Sequence, residues 1–372
     1  MGARVGRTLG HLRAMNIVYG VSGEGLGHVF EAIEIAEMLR RDGHVVKVLT
    51  YGERACRALA RFTPTPIEGV HLCFGPTGLS LGRTLRRNLG IFPFYLRHGR
   101  RLWRELRAFR PDVFLTAYEP FTMIAAHGLR KPLISMDNQN ELRHLTRPPG
   151  ASGAAFYLAR ATTAAVTYGA EDYIVKSFHR AVPHAPRVHV VAPIIQREIR
   201  ALAVSHDGPV LVYLTKENPA LTTVLRSMER PFVVYCHGRV GTDGNLTYRA
   251  PGPAFLADLA SCEAIIGTTG FSLIADAIYL KKPYFGVPLK KQFEQTHNAH
   301  FLRDSGLGAF AEDVTRETLA EFFTALPRYR ERLIAYDLDP AQQEETLRGL
   351  LARRAGASAD HRPATTAICP RT

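Results

Sequence analysis

The chain has 372 residues, 46% hydrophobic and 22% charged, with mean hydropathy −0.07; this suits a globular protein of about two domains and excludes a disordered, collagenous or disulfide-scaffold chain. Its net charge of +13 is uneven: from Ser80 to Arg110 nine arginines accompany one acid, Glu105, whereas from Asp207 to Ala325 eleven basic residues meet thirteen acidic ones. No apolar run approaches the roughly 18 to 20 residues that a membrane helix needs; Ala154–Val166 is too short and carries Arg160.

The opening MGARVGRTLGHLRAM has arginines but no apolar stretch behind them, so it is not a secretory signal, and residues 1–14 read as an extension. Asn16–Val21 then predicts a strand, Val29–Arg41 a helix and Val45–Thr50 a strand. Between Phe92 and Arg110 the spacing is helical. Phe92, Tyr95, Leu96, Leu102, Trp103, Leu106 and Phe109 share one face; Arg97, Arg100, Arg101, Arg104 and Arg107 gather opposite. That basic face is either a solvated surface or a contact for an anionic lipid leaflet. Nucleic acid is disfavoured, because no exposed aromatics interleave with the arginines and no nucleic-acid motif accompanies them.

Further strands are predicted at Asp112–Ala117, Pro132–Met136, Asp172–Val175 and Val188–Val191. After a polar stretch the scheme restarts, with strands at Val210–Leu214, Phe232–Cys236, Ala264–Gly267 and Tyr284–Val287. Helices are expected at Leu221–Met228, Ala254–Ser261, Phe271–Leu280, Gln295–Ser305 and across Glu317–Leu351. Continuous apolar strands with helical crossovers imply α/β architecture with parallel sheets covered on both faces. The expected plan is two doubly wound, Rossmann-like domains facing across a cleft. The first spans 15–197, a linker 198–208 and the second 209–325; C-terminal helices follow at 326–351 and a flexible tail at 352–372. Five dispersed cysteines without metal-type spacing point to reduced thiols in a cytoplasm.

In such sheets ligands bind beyond the C-terminal ends of strands, and two glycine-rich loops lie there. The first, Gly20-Val-Ser-Gly-Glu-Gly25-Leu-Gly27-His28, follows a strand and opens a helix, as a phosphate- or ligand-binding loop does. A dinucleotide fingerprint is weakened because the next strand ends Leu49-Thr50-Tyr51 with no acid for a ribose diol. His28, at the mouth of the helix, suits a general base or a histidine satisfied by a neighbour. The second loop, Gly267-Thr268-Thr269-Gly270-Phe271-Ser272, also opens a helix, with Asp276 one turn inside. Its amides can hold a diphosphate and that carboxylate can accept ribose hydroxyls. Glu294 and Gln295 follow the next strand, an acid and an amide suited to adjacent sugar hydroxyls.

Taken together and in order, the run GTTGFSLIADAIYLKKPYFGVPLKKQFEQTHNA resembles the nucleotide-sugar signature of GT-B glycosyltransferases. The branch it resembles contains the peptidoglycan GlcNAc transferase that uses a lipid-linked acceptor, plant galactolipid synthases and related archaeal and bacterial members. GEGLGH is similar to their N-terminal glycine loop, PLISMDNQN to their acceptor-side strand and polar loop, and APIIQR to their interdomain crossover. The resemblance implies a nucleotide-sugar donor, by default a UDP-sugar, with no further cofactor. It implies Asp276 at the donor ribose, Glu294 and Gln295 at the donor sugar, and Thr268, Thr269, Gly270, Phe271 and Ser272 at the diphosphate. Gly25 and Gly27 frame the first loop, with His28 as acceptor base. Thr268-Thr269 and an aspartate, where relatives carry other small residues and more often glutamate, leave base and sugar selectivity open.

The implied reaction is attack by an acceptor hydroxyl on the anomeric carbon as the diphosphate departs, with inversion. A helix start supplies positive potential to the leaving group, so no metal is required. Asp337-Leu-Asp339 spells the metal motif of the other glycosyltransferase fold, but in a helical stretch where it reads as surface acid. Lys216 and Arg239 are candidate diphosphate contacts, and Glu119 and Asp137 candidates to orient His28 or the acceptor. The expected acceptor is a lipid or lipid-linked hydroxyl, reached peripherally at the cytoplasmic face of the membrane. Alternatives are a non-hydrolysing nucleotide-sugar 2-epimerase, a non-catalytic sugar-nucleotide sensor at the membrane surface and, least, a dehydrogenase.

Overall fold

A computed structural model describes residues 13–24, 26–71, 74–75, 78–79, 81–145, 153–178, 183–236, 238–289 and 292–359. Nearly all the expectation about residues 1–14, and the part played by Gly25, lie outside them. The first lobe is built on β1 (Asn16–Val21), β2 (Val45–Thr50), β3 (Thr65–Pro66), a hairpin of β4 (Phe74–Gly75) and β5 (Gly78–Leu79), β6 (Val113–Ala117), β7 (Leu133–Asp137), β8 (Asp172–Lys176) and β9 (Val188–Val191). Apart from the hairpin these form one sheet in the order β3-β2-β1-β6-β7-β8-β9, with every pairing parallel.

Alternation along β1 shows why both faces are covered: Ile17, Tyr19 and Val21 join one buried cluster with Val29, Ile35 and Leu39 of the helix Leu26–Arg41. Val18 points the other way and joins Leu102 and Leu106 of the helix Ile91–Phe109. That helix departs from its predicted packing. Leu102 and Leu106 are buried, but Phe92 and Leu96, expected on the same apolar face, are 72% and 68% exposed. Its C-terminal half rests on the sheet while its first two turns present these side chains outward; periodicity gives a face, not the length over which a neighbour covers it.

The second lobe contains β10 (Val210–Leu214), β11 (Phe232–Cys236), β12 (Gly241–Asp243), β13 (Leu246–Tyr248), β14 (Ile265–Gly267), β15 (Tyr284–Gly286) and β16 (Gly308–Phe310). They order as β12-β13-β11-β10-β14-β15-β16, parallel except for the β12–β13 edge pair. The strand order reverses between β1 and β6 in one lobe and between β10 and β14 in the other, the switch points where open α/β sheets take ligands. The two-lobe GT-B-like architecture expected from the sequence is therefore the one observed.

The C-terminal region differs from expectation. The helix Gln342–Ala359 continues through what was read as a tail from 352, and it crosses back to the first lobe. Leu347, Leu350 and Leu351 join the first lobe's core. Arg348 pairs with Asp42 at 2.6 Å, and Arg354 bonds Asp172. The 198–208 linker is likewise claimed in part by the second lobe, since the Ser205 amide donates to Ala260 and Gly208 bridges to Cys262. No helix among the described residues is long and apolar enough to cross a membrane.

Candidate functional site

A cleft of about 620 Å³ lies between the lobes, lined from one side by Gly27, His28, Glu31, Asn138, Gln139 and Lys176 and from the other by Thr268, Gly270, Phe271, Ser272, Asp276, Glu294 and Gln295. The lobes touch across it. Asn138 Nδ2 donates to Glu294 Oε1 at 3.0 Å, His297 Nε2 lies 3.3 Å from Glu141 Oε2, and Phe178 packs at a tilt against Phe271. Gly27 is tight against the opposite lobe: a Cβ there would lie 2.6 Å from Ser272 Oγ.

His28 sits in the first turn of its helix, stacked on Tyr118 with ring centroids 6.5 Å apart. Its Nε2 lies 3.3 Å from the Gln139 amide nitrogen, while its Nδ1 is buried without a hydrogen-bond partner. Burial first, and then the charge of Lys176, push its pKa down to about 3, so the imidazole is neutral. The Gln139 side-chain amide is the hydrogen-bond partner of Nε2.

On the facing side, Gly270 caps the helix Phe271–Tyr279 without a side-chain hydrogen bond, leaving the first-turn amides to a ligand. The loop before it is held from behind: Thr269 Oγ1 donates to the Gln295 carbonyl at 2.6 Å, and Asn298 Nδ2 to the Thr269 carbonyl at 2.9 Å. Asp276, one turn on, is raised to about 7 by burial and by the nearby charge of Glu31. Burial likewise raises Glu294. Gln295 lines the cleft, but its Oε1 accepts the Leu289 amide at 2.9 Å, leaving its NH₂ as the end available to a ligand.

Not every expected residue reaches the cleft. The Glu119 carboxylate is consumed by the helix Pro120–Gly128, accepting from the Phe121 and Thr122 amides and the Thr122 hydroxyl at 2.8, 2.7 and 2.5 Å. Asp137 accepts from Ser135 Oγ and from the Asn140 backbone and side chain, all within 2.8 Å. Both are fully buried and neither is hydrogen-bonded to His28: Glu119 caps its helix, and Asp137 ties down the turn that follows β7. Lys216 is exposed beside the cleft, which Thr215 lines instead. Arg239 lies over Tyr248, 3.9 Å from its ring centroid, and pairs with Asp243 at 3.2 Å. Asp337 and Asp339 are exposed, as expected of surface acids, but they lie in a connector between helices and not in the helical stretch predicted.

The sequence named Asn138 and Gln139 only as part of the acceptor-side polar loop, and it did not mark Glu31 or Lys176. Glu31 follows His28 by three residues, one helical turn, and that spacing was a readable signal. Lys176 carried none: it closes β8, and only the sheet order brings β8 near the helix that bears Glu31.

Among solved structures, the fold is similar to the glycotransferase of kitacinnamycin (17% identity, TM-score 0.60, covering 94% of this chain and 100% of that one). It is also similar to MurG of Acinetobacter baumannii (17%, 0.58, 91% and 99%) and to the glycosyltransferase VinC, solved with dTDP (15%, 0.56, 92% and 99%). No curated protein matches the sequence. At these identities the structures speak for the fold alone. The model of Glycosyl transferase family 1 matches residues 15–327, and with two facing parallel sheets and a cleft built from both glycine loops, the chain belongs to that family of nucleotide-sugar glycosyltransferases.

Proposed function

We propose that the protein transfers a hexosyl group from a nucleoside-diphosphate sugar, by preference a UDP-sugar, to a hydroxyl of a lipid or lipid-linked acceptor, with inversion and without a metal ion. One observation carries the reading: a neutral imidazole on one lobe and an uncapped helix start on the other line the same cleft. The nucleotide lies on the second lobe, its ribose at Asp276, its diphosphate on the amides of residues 271–273 and its sugar at Glu294 and Gln295. The acceptor oxygen attacks the anomeric carbon from the first lobe, displacing Gln139 as the partner of His28 Nε2. The new C–O bond forms as the bond to the diphosphate breaks; the proton passes to His28 and the electron pair leaves with the phosphate. Inversion follows from base and leaving group standing on opposite sides of the sugar. The helix start meets the charge that grows on the phosphate, the task otherwise given to a divalent ion.

A lipid acceptor is supported by a cavity of about 1040 Å³ in the first lobe, lined by Ile91, Tyr95, Trp103, Pro120, Phe121 and Ile124 with Arg100 and Arg104 among them. Apolar walls beside arginines suit an amphiphile with an anionic head. Incubating the protein with radiolabelled UDP-sugars and lipid extracts, then fixing the anomeric configuration of the product by NMR, tests the proposal. A retained anomer, or isomerised sugar with no acceptor consumed, would rule it out.

A further inference from the structure

The cleft poses an electrostatic problem. Its titratable lining includes Glu24, Glu31, Asp276 and Glu294, yet a nucleoside diphosphate brings more negative charge. The two cations expected from the sequence, Lys216 and Arg239, do not line it. Among the described lining residues, Lys176 is the one lysine or arginine. Its side chain is 2% exposed, and its ammonium is paired with the Glu31 carboxylate, itself 12% exposed. A buried ion pair of this kind costs desolvation on both sides and is weak evidence for a stabilising role. Here it lies on the cleft wall, and Nζ has three donors.

We propose that Lys176 is the cation that meets the donor's diphosphate, with Glu31 as its counter-ion while the cleft is empty. The inference rests on the nucleotide-sugar donor and adds a binding residue from the first lobe to a diphosphate site otherwise made by the second. The donor then bridges the lobes, phosphate to Lys176 and amides to phosphate, and its binding favours closure. A second consequence concerns His28. The charged groups that share its cleft are Glu24 on the loop before its helix, Glu31 on its own helix, Lys176 from β8, and Asp276 and Glu294 from the opposite lobe, while the phenol of Tyr118 stacks on its ring. A diphosphate paired with Lys176 offsets the positive charge that holds the imidazole's basicity down, so donor binding strengthens the base.

Calorimetry of wild type, Lys176→Gln, Lys176→Arg and Glu31→Gln with UDP, dTDP, uridine and thymidine tests this. Loss of a charge-assisted contact should weaken diphosphate binding by about 10- to 100-fold in Lys176→Gln. Nucleoside binding should be unmoved, Lys176→Arg should recover most of the loss, and Glu31→Gln should bind the diphosphate more tightly. Lost diphosphate affinity with nucleoside affinity retained is a split that a merely structural lysine would not produce. Diphosphate affinity unchanged in Lys176→Gln, or equal losses for nucleoside and diphosphate, overturns the proposal while leaving the donor reading intact. Should Lys176→Gln not fold, weaker diphosphate binding by Glu31→Gln overturns it equally. Wild type that binds neither diphosphate would sink the donor reading and this inference together.

Discussion

His28 is neutral throughout the physiological range because burial and Lys176 hold its pKa near 3. A base needs that form, and in Asp276→Asn, where the carboxylate beside the ribose no longer titrates, the remaining acid limb of kcat/KM should therefore lie well below pH 5 rather than near an ordinary histidine's value. His28→Ala should lower kcat by about 10²- to 10⁴-fold, the usual contribution of general base catalysis, with donor affinity nearly unchanged by calorimetry; unaltered turnover would remove the assignment. Asp276 gives a second pH signature. Its pKa is raised to about 7 by burial and Glu31, so below that pH it gains a proton and loses acceptor capacity toward the ribose. Donor affinity should fall as pH drops from 8 to 6, and Asp276→Asn should flatten that dependence. The sequence disclosed His28 and Asp276 because each occupies a fixed place in a strand–loop–helix signature. Glu119 and Asp137 carried the same strand-end signal, yet their oxygens satisfy local amides; which use a carboxylate serves depends on neighbours that spacing does not specify.

At the scale of elements, the long strands and the helices behind the two glycine loops were legible, since apolar runs and 3.6-residue spacing report burial directly. Of the two- and three-residue strands, β14 and β15 were read, whereas β3, β4, β5, β12, β13 and β16 were not. The helix Pro120–Gly128 depends on its cap. Glu119→Ala removes bonds to two backbone amides, and thermal melts should show a loss of about 1–2 kcal/mol; no change would mean water replaces the carboxylate. The helix Ile91–Phe109 carries the membrane question. Flotation with vesicles containing phosphatidylglycerol should recruit the protein in a salt-sensitive manner. Arg100→Glu combined with Arg104→Glu should abolish recruitment, since basic residues near an anionic leaflet contribute about 1 kcal/mol each. Phe92→Ser with Leu96→Ser should weaken it without altering stability, because both side chains already face solvent. Binding that ignores lipid charge would leave this helix a solvated face.

For the whole molecule, the doubly wound plan and the facing lobes followed from the order of strands and helices, whereas the return of the last helix did not. Nothing in the pattern of residues 342–359 says which lobe its leucines will meet. Leu350 is 1% exposed within the first lobe's core. Leu350→Ala should cost about 2–5 kcal/mol and should unfold that lobe selectively, seen by hydrogen exchange at β1 and β8 before β10. Equal loss of protection in both lobes would show that they unfold as one unit.

The homeward path of the final helix makes the second lobe an insertion within the first. On the ribosome, residues 15–191 emerge first but lack Leu347, Leu350 and Leu351, the last pieces of their own interior. The second lobe's core, built from residues 195–338 with Phe178 supplied from the first stretch, is complete earlier. Protease protection of stalled nascent chains should therefore appear in the later-made half first, inverting the usual vectorial order, and a chain arrested before residue 342 should display a finished second lobe beside an unfinished first one.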